Sequence, residues 1–274
     1  MVTTFHRPKD AAEALSLLAG AADRLALAGG TQLLSSESRS LGFSAVAVSA
    51  ILPGGIDRLA TGLSIGAAAT FQQLVDYPSL PGALRKAALG MVDRNIRNRA
   101  TVGGNLGADK SCSSLIPILL ALDASLELLD GRTLGLQEWL GLPPGPMGRG
   151  TISRILAPLH EGTKAGYARW SRVSCDIAVL GAALAFRLEG GLVKGLRLVL
   201  GGVSAHSRRF PAIEALFEGR ILPEGDAIEA AVAPLLSPID DVRGSAQFKR
   251  SRISSLVAEA FLEASEVTAM EAAK

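Results

Sequence analysis

The sequence is poor in aromatic residues and carries almost no net charge. Phe, Trp and Tyr make up 4% of the 274 residues, and 28 basic residues against 26 acidic residues leave a net charge of +2. Proteins that bind single-stranded nucleic acid combine a basic groove with aromatic side chains on which bases stack. The densest basic stretch, RNIRNRA at Arg94–Ala100, is short and typical of a solvated helix end. We therefore predict no nucleic-acid partner.

Cysteine and histidine are also scarce. The two cysteines, Cys112 and Cys175, lie far apart and form no C-x-x-C motif. A disulfide framework needs several cysteines, and an iron–sulfur cluster takes four thiolates. The three histidines, His6, His160 and His206, show no metal-ligand spacing. The sequence thus predicts no disulfide framework, no cluster and no metal site within this chain.

Long hydrophobic runs are missing, although 48% of the residues are hydrophobic. A membrane-spanning helix needs about 18 or more consecutive apolar residues, and no stretch here approaches that length. The first ten residues, MVTTFHRPKD, lack the apolar core of a signal peptide. We predict a globular protein without a transmembrane segment, located in the cytoplasm.

Capping signals and apolar spacing divide the first half into alternating helices and strands. Asp10 and Glu13 form a capping box that opens a helix, and Gly20 ends it. RLALA at Arg24–Ala28 is a short strand that stops at Gly29-Gly30. Further predicted elements are strands at Ser44–Ile51 and Leu63–Ala67, a helix begun by a capping box of Thr70 and Gln73, a helix over Gly82–Asp93, and a helix over Leu115–Asp123 capped by Ser113 or Ser114.

The second half of the sequence predicts antiparallel strands followed by helices. The Asp-Gly turn within Ser125–Leu136 predicts a β-hairpin, and Ala182–Val203 predicts two long antiparallel strands. Gly141–Gly150, rich in Pro and Gly, is interpreted as a linker or a lid. Predicted helices follow at Pro211–Phe217, at Asp226–Leu236 with a capping box of Asp226 and Glu229, and at Ser245–Ala264.

Two glycine pairs are the strongest candidates for chemistry. LALAGGTQLL (Leu25–Leu34) follows a predicted strand, and ATVGGNLGADK (Ala100–Lys110) follows the basic stretch. Neither is a Rossmann fingerprint, because the only G-x-G is Gly148–Gly150, and GGNLGADKS is not a P-loop, because Asp109 stands where glycine is required. Positions without Cβ let backbone N–H groups approach an anion, and they equally suit tight turns or close packing. The residues alone leave these alternatives open.

The whole ordered set of motifs resembles the FAD-binding subunit of molybdenum hydroxylases, the family of xanthine dehydrogenase and carbon monoxide dehydrogenase medium subunits. The resemblance covers residues 4 to 262. It rests on FHRPKDAAEALSLL, LALAGGTQLL, LSIGAAAT, RNIRNRATVGGNLG, LIPILLALDASLELL, RWSRVSCDIAVLGAALAF and LRLVLGGVSAHSRRFPAIEALFEG. It implies an α+β fold: a two-lobed FAD-binding domain of the PCMH type over residues 1–163, with lobes at 1–55 and 56–163, and a C-terminal domain over 164–274 built from an antiparallel sheet and helices.

The resemblance also implies a set of cofactor-binding residues and no catalytic ones. The two glycine segments would hold the FAD diphosphate through backbone N–H groups, an apolar residue would pack near the flavin, and a residue near a family lysine would lie at the flavin edge. Carried onto this sequence, the first segment is Leu27, Ala28, Gly29, Gly30, Thr31, Gln32, Leu33 and Leu34; the second is Thr101, Gly103, Gly104 and Asn105; the apolar residue is Ile152; and the edge residue is Arg169.

One position departs from the family pattern. Many members have an aspartate nine residues after the asparagine of GGN, in contact with the ribityl or ribose part of the flavin, and this chain has Ser114 there. A serine hydroxyl hydrogen bonds without carrying a charge. Ser114 is therefore predicted either to contact the cofactor or to cap the following helix.

By resemblance, the chain is an electron-transfer flavoprotein subunit. Electrons would come from a large molybdenum-binding subunit through [2Fe–2S] clusters on a small subunit, reach FAD here, and leave to NAD or another acceptor. The molybdopterin and the clusters would lie on the partners only. One alternative is a non-catalytic assembly subunit that has lost flavin. Another is a flavoenzyme of the UDP-N-acetylenolpyruvoylglucosamine reductase type, for which the sequence offers no sugar-nucleotide motif.

Overall fold

A computed structural model describes residues 2–35, 42–91, 93–146, 148–173 and 176–271. The chain forms two compact units that interleave along the sequence. The first contains residues 1–77, 93–108 and 123–158, and the second contains residues 78–92, 109–122 and 159–274. The predicted boundaries near residues 55 and 163 remain predictions. Cys175 lies outside the described residues, as do Val92 and Met147 within two of the predicted segments.

The first unit begins with a small parallel sheet. Strand β1 (Val2–His6) and strand β2 (Arg24–Leu27) pair in parallel with β3 (Phe43–Ala47), which lies between them. Helix α1 (Ala11–Ala19) connects β1 to β2 and packs on β2 and β3. The N–H of Glu13 donates to Asp10 Oδ1 at 2.8 Å, which confirms the predicted helix start. The β1–α1–β2 order places the carboxyl end of β2 beside that of β3.

The rest of the first unit is organised around a five-stranded antiparallel sheet in the order β4-β5-β8-β6-β7. β6 and β7 form the predicted hairpin, with Gly131 at φ 89° in its turn. Gln73 and Thr70 make both bonds of the predicted capping box. The strands are β4 (Ile56–Leu59), β5 (Gly62–Gly66), β6 (Ser125–Leu128), β7 (Thr133–Gly135) and β8 (Ile152–Pro158); the helices are α2 (Phe71–Asp76), α4 (Arg94–Arg97), α5 (Val102–Ala108) and α7 (Leu136–Gly141).

The loop at Gly141–Gly150 is held on its own unit by Arg149. The Arg149 side chain is buried, donates to the carbonyl oxygens of Leu142 and Leu140, and stacks over the Trp139 ring. Trp139 Nε1 in turn donates to the Arg149 carbonyl at 2.7 Å. These contacts favour a fastened loop over the linker that its composition suggests.

The second unit is built on a four-stranded antiparallel sheet in the order β12-β11-β10-β9. β10 and β11 are the two long strands that the sequence predicts, and Gly190 and Gly191, both at positive φ, form the turn between them. The strands are β9 (Lys164–Trp170), β10 (Leu180–Glu189), β11 (Leu192–Gly201) and β12 (Arg208–Arg209); the helices are α3 (Gly82–Leu89), α6 (Leu115–Ala121), α8 (Pro211–Phe217), α9 (Gly225–Val232) and α10 (Ala246–Glu271).

Helices cover both faces of this sheet. Leu184 and Leu198 belong to a hydrophobic cluster with Phe261 of α10. Side chains alternate between the faces of a strand, so the intervening positions point the other way. There Gly201 faces Pro117 of α6, a helix whose seven residues are all buried. α6 packs on β10 and β11, and α3 packs on α6 and β9. The sheet is therefore an interior layer, which explains its continuous apolar sequence.

Three predicted details are corrected. The helix predicted over Gly82–Asp93 ends at Leu89. The helix predicted to end at Leu236 stops at Val232 and continues as a 3₁₀ turn, because Pro234 has no N–H for the α-helical ladder. The capping box of Asp226 and Glu229 does not form. The helix begins at Gly225, so Asp226 lies inside its first turn, and the Glu229 carboxylate accepts from Ser255 instead.

Among the helices in the described ranges, none is long and apolar enough to cross a membrane.

Candidate functional site

The first glycine pair forms a tight turn at the carboxyl end of β2. The strand ends at Leu27, whose carbonyl accepts from Val48 N at 2.9 Å. Gly30 has φ 75°, a conformation that a side chain disfavours, and its carbonyl accepts from Leu34 N at 3.0 Å. The chain therefore leaves the sheet edge in a sharp turn that glycine permits.

Gly29 has a different reason to be glycine. A Cβ at this position would lie 1.8 Å from Arg99 O and 2.8 Å from the Arg99 carbonyl carbon. No side chain fits in that space, so the Gly29 backbone rests directly on the backbone of residues 99–100. Because Ala100 is the first residue of the second glycine motif, this contact brings the two motifs together within the first unit.

The second glycine pair lies in a helix. Gly103 and Gly104 occupy the first turn of α5. Thr101 accepts twice: its Oγ1 from Gly104 N at 3.1 Å and its carbonyl from Asn105 N at 3.0 Å. A threonine hydroxyl that accepts from an N–H of the first turn is a standard way to begin a helix. Capping by Thr101 thus outweighs the low helix propensity of two glycines.

Gly103 also marks a close approach. Its Cβ would lie 2.7 Å from Ala67 Cβ, and its N–H donates to Ala67 O at 2.9 Å. Val102 N likewise donates to Ala69 O at 2.9 Å. The start of α5 is thereby fixed against the segment that follows β5.

The two motifs differ in the backbone donors that they leave available. The N–H groups of residues 102–105 all donate to protein acceptors. Those of Gly29, Gly30 and Thr31 have no acceptor among the described residues. Successive backbone N–H groups in a turn at the carboxyl end of a parallel strand are the usual elements of a phosphate site in α/β folds. The first turn therefore has the donors for an anionic group, and the second motif supports that turn.

The remaining predicted residues of the first unit lie next to this turn or, for Ile152, in the five-stranded sheet. Leu27 is buried with Phe43 and Ala45, and Leu33 packs against that cluster. Gln32 O accepts from Ser35, while Leu34 is exposed. Ala28 lies between the end of β2 and the glycines. Ile152 is buried at the start of β8, where it pairs with Leu128.

Ser114 and Arg169 belong to the second unit. The cap of α6 is provided by Ser113, whose Oγ accepts from Ile116 N at 3.3 Å. Ser114 makes no capping bond, and its Oγ is buried with no hydrogen-bond partner among the described residues. Ser114 therefore makes no helix-capping hydrogen bond, and its contact with the cofactor remains a prediction.

Arg169 is held by acceptors within its own unit. Its guanidinium donates to the carbonyl oxygen of Gly90, to Ser171 Oγ at 2.8 Å and to Asp176 O at 2.9 Å. These bonds tie the end of α3 to the segment that follows β9. An arginine held in this way is a fixed positive charge on the second unit.

The neighbouring Tyr167 is fully buried on β9. Burial is the main reason that its pKa is raised to about 12; the nearby Arg169 lowers it, while Glu263 and Cys112 raise it. The hydroxyl therefore stays protonated at physiological pH. The structure also pairs His206 Nδ1 with Asp109 Oδ2 at 3.0 Å, and the Asp109 side chain is only 7% exposed. Within the described residues, no group of three or more His, Cys, Asp or Glu side chains could hold a metal ion.

Two features of these surroundings had no signal in the sequence. One is the contact of Gly29 with residues 99–100, because the partner is backbone and carries no side-chain signature. The other is Ser207, whose Oγ is buried and, like Ser114 Oγ, has no hydrogen-bond partner among the described residues. Burial of a serine hydroxyl without a partner is a tertiary property that a local pattern does not encode.

Known proteins resemble this chain along most of its length. Residues 1–152 match the family described as "FAD binding domain in molybdopterin dehydrogenase", and residues 165–264 match "CO dehydrogenase flavoprotein C-terminal domain". The protein YgfM of Escherichia coli K12 is 31% identical over 264 residues, 96% of each chain. The nicotine 6-hydroxylase medium subunit of Paenarthrobacter nicotinovorans is 27% identical, over 95% of this chain and 96% of its own.

A solved structure shows the same fold. A chain of the carbon monoxide dehydrogenase from Hydrogenophaga pseudoflava superposes with a TM-score of 0.84 at 26% identity, covering 95% of this chain and 96% of its own. The predicted α+β class is thereby confirmed.

Proposed function

Because this chain belongs to the family of FAD-binding subunits of molybdopterin dehydrogenases, we propose that its first unit holds the FAD diphosphate at Gly29–Thr31. One observation carries this placement. The three backbone N–H groups of that turn have no acceptor among the described residues, and Gly29 is fixed on the backbone of residues 99–100. Hydrogen bonds to a charged oxygen are about twice as strong as neutral ones.

The second motif acts as a support for that turn. Its own N–H groups already donate to Ala69, Ala67 and Thr101. Gly103 lets α5 start close to Ala67, and this placement fixes the 99–100 segment on which Gly29 rests. The other predicted contacts, namely the side chains of Thr101 and Asn105, the apolar surface of Ile152, Ser114 and the charge of Arg169, remain part of the proposal.

The proposed role of the subunit is electron transfer. Bound FAD supplies the ability to take up and release one or two electrons, and the chain supplies binding and orientation. The proposed partners are a large subunit with the molybdenum–pterin centre and a small subunit with [2Fe–2S] clusters. The name of one relative, the nicotine 6-hydroxylase medium subunit, supports an assembly with other subunits. NAD or another molecule would be the external acceptor, and a cytoplasmic location remains a prediction.

The flavin content of the purified protein tests this proposal. We expect a flavin absorbance spectrum with one FAD per chain, either as isolated or after reconstitution with FAD. Co-expression with the neighbouring genes should then yield a complex whose flavin is reduced when substrate is added. A chain that stays folded and binds no FAD would instead be the assembly subunit, the alternative that the missing aspartate at position 114 favours.

A further inference from the structure

The basic stretch RNIRNRA (Arg94–Ala100) contains three arginines in different surroundings. Arg97 Nε donates to Gln72 Oε1 at 3.0 Å, and Gln72 Nε2 donates to Asp76 Oδ1 at 2.8 Å. Arg97 is therefore held by side chains of its own unit. Arg94 and Arg99 are exposed, and neither guanidinium group makes a hydrogen bond or ion pair within the described residues. These two positive charges are available to a ligand.

Arg99 lies directly beside the turn that contains the first glycine pair. The position of a Cβ on Gly29 is 2.8 Å from the Arg99 carbonyl carbon, and the Arg99 Cα is one bond of about 1.5 Å further. The Arg99 Cα, from which its side chain extends, is therefore no more than about 4.3 Å from that position. Residues 29–31 are partly exposed and Arg99 is exposed, so a ligand can reach both from solvent.

The backbone from which this side chain extends is fixed by hydrogen bonds. Arg99 N donates to Ile96 O at 3.0 Å, and Ala100 N donates to the same oxygen at 2.7 Å. Ala100 O accepts from Phe71 N at 2.9 Å. When a ligand binds, only the rotamer of the Arg99 side chain has to be set, and exposed side chains change rotamer within nanoseconds. The guanidinium group can therefore meet a ligand at the turn without any rearrangement of the backbone.

The turn and Arg99 complement each other chemically. The backbone N–H groups of residues 29–31 offer hydrogen bonds but no net charge, whereas a diphosphate is negatively charged at neutral pH. A guanidinium group is always protonated, and its planar fork of donors matches the oxygens of a phosphate. An anion in the turn would therefore gain a full positive charge from a side chain that has no other partner among the described residues.

We infer that Arg99 pairs with the diphosphate of FAD and supplies the positive charge that the glycine turn lacks. This inference rests on the proposed function. It adds a charged side chain to a site that the family pattern builds from backbone N–H groups, and it gives the basic stretch a role in cofactor binding. The turn and Arg99 both belong to the first unit, so the pairing needs no contribution from the second.

The test is a set of FAD titrations of the flavin-free full chain at low and high salt. At low salt, Arg99→Gln should raise the Kd for FAD by about 2- to 5-fold, the range expected for an exposed ion pair. This ratio should fall toward one at about 1 M salt, where the Debye length is about 3 Å. Arg99→Lys keeps the charge and should retain most of the affinity. The flavin-free variants should unfold at the wild-type temperature, because the side chain is exposed.

Two controls separate a local ion pair from a general effect of charge. Arg94→Gln makes the same change in net charge in the same basic stretch, at an arginine that is also exposed, and it should leave the Kd unchanged. Competition with ADP and with riboflavin identifies the part of FAD that Arg99 meets. Arg99→Gln should weaken the binding of ADP by the same ratio as that of FAD, and it should leave riboflavin unaffected because riboflavin has no phosphate.

Four results would overturn the inference while the proposed function stands. They are an unchanged Kd for FAD in Arg99→Gln at low salt, a loss of affinity that salt does not reduce, an equal loss in Arg94→Gln, and an equal loss with riboflavin. The second and fourth would mean that the substitution disturbs the site by a route other than the charge on the diphosphate. If the wild type itself binds no FAD, the proposed function fails and the inference fails with it.

Discussion

Substitution of Gly29 by alanine tests the contact between the two glycine motifs most directly. The new Cβ would lie 1.8 Å from Arg99 O, whereas ordinary van der Waals contact begins near 3.4 Å. The two backbones must therefore separate by about 1.6 Å, the difference of those distances. Forcing an extra methyl group into a packed site destabilises by about 1–3 kcal/mol, which corresponds to a Tm lowered by roughly 2–12 °C.

The effect on FAD should exceed the effect on stability. A displaced turn loses at least one hydrogen bond to a charged oxygen, and this weakens binding by roughly 10- to 150-fold in Kd. FAD titration of Gly29→Ala gives that ratio. Gly107→Ala is the control in α5, because no atom lies within 4 Å of its Cβ; it should keep the affinity and gain up to about 1 kcal/mol of stability. Wild-type affinity and Tm in Gly29→Ala would refute the reasoning.

Three further predictions follow from the same structure. Gly104→Val should abolish FAD retention while the second unit stays folded, because a Cβ there would lie 2.8 Å from Thr101 Oγ1 and displace the cap; unchanged flavin absorbance would contradict this. Folding raises the pKa of Tyr167 from 10.0 to about 12, so the wild type loses folding stability as the pH rises from 10 to 12. Tyr167→Phe should lose about 3 kcal/mol less than the wild type over that range. Parallel alkaline unfolding curves for the variant and the wild type would contradict this. Lys249→Met should lower stability by roughly 3–5 kcal/mol, because it breaks the bond of the fully buried Lys249 to Asp241 Oδ2 at 2.8 Å. Burial alone would raise the pKa of Asp241, but its bond to Lys249 and two backbone N–H donors lower it below its usual value. The stability that this carboxylate contributes is lost as the pH falls and Asp241 is protonated, so the free energy of unfolding should fall less on acidification in Lys249→Met than in the wild type.

The elements with strong local signals could be predicted from sequence. The capping box at Thr70, the Asp-Gly hairpin and the long strand pair around Gly190 depend on residues close together in the chain, and all three form. The helix at the second glycine motif could not be predicted, because two glycines disfavour a helix, whereas the cap from Thr101 and the contact with Ala67 stabilise one there. Strand β1 was not predicted, because it lies at a sheet edge, is mostly exposed and so lacks an apolar pattern.

The candidate site was partly predictable for the same reason. The glycine pairs could be identified because the absence of Cβ is a property of each residue. The sequence could not show which backbone N–H groups remain without an acceptor. That depends on tertiary contacts: Ala67 and Ala69 accept from the second motif, and the Arg99 backbone packs against Gly29. By sequence, Ser113 and Ser114 were equally suitable caps for α6. In the structure, the Ser113 hydroxyl accepts from Ile116 N.

The interleaving of the two units constrains how the protein can be made and cut. Helices α3 and α6 come from the first half of the chain, yet they pack in the second unit on strands that follow residue 163. During synthesis these two helices emerge from the ribosome long before β9 and β10, so the second unit completes its packing only after the late strands appear. A gene fragment that begins at residue 164 would encode the sheet without the helices that cover one of its faces. The two halves of the sequence are therefore not exchangeable modules, and chimeras with relatives should exchange both inserted segments together with the C-terminal portion.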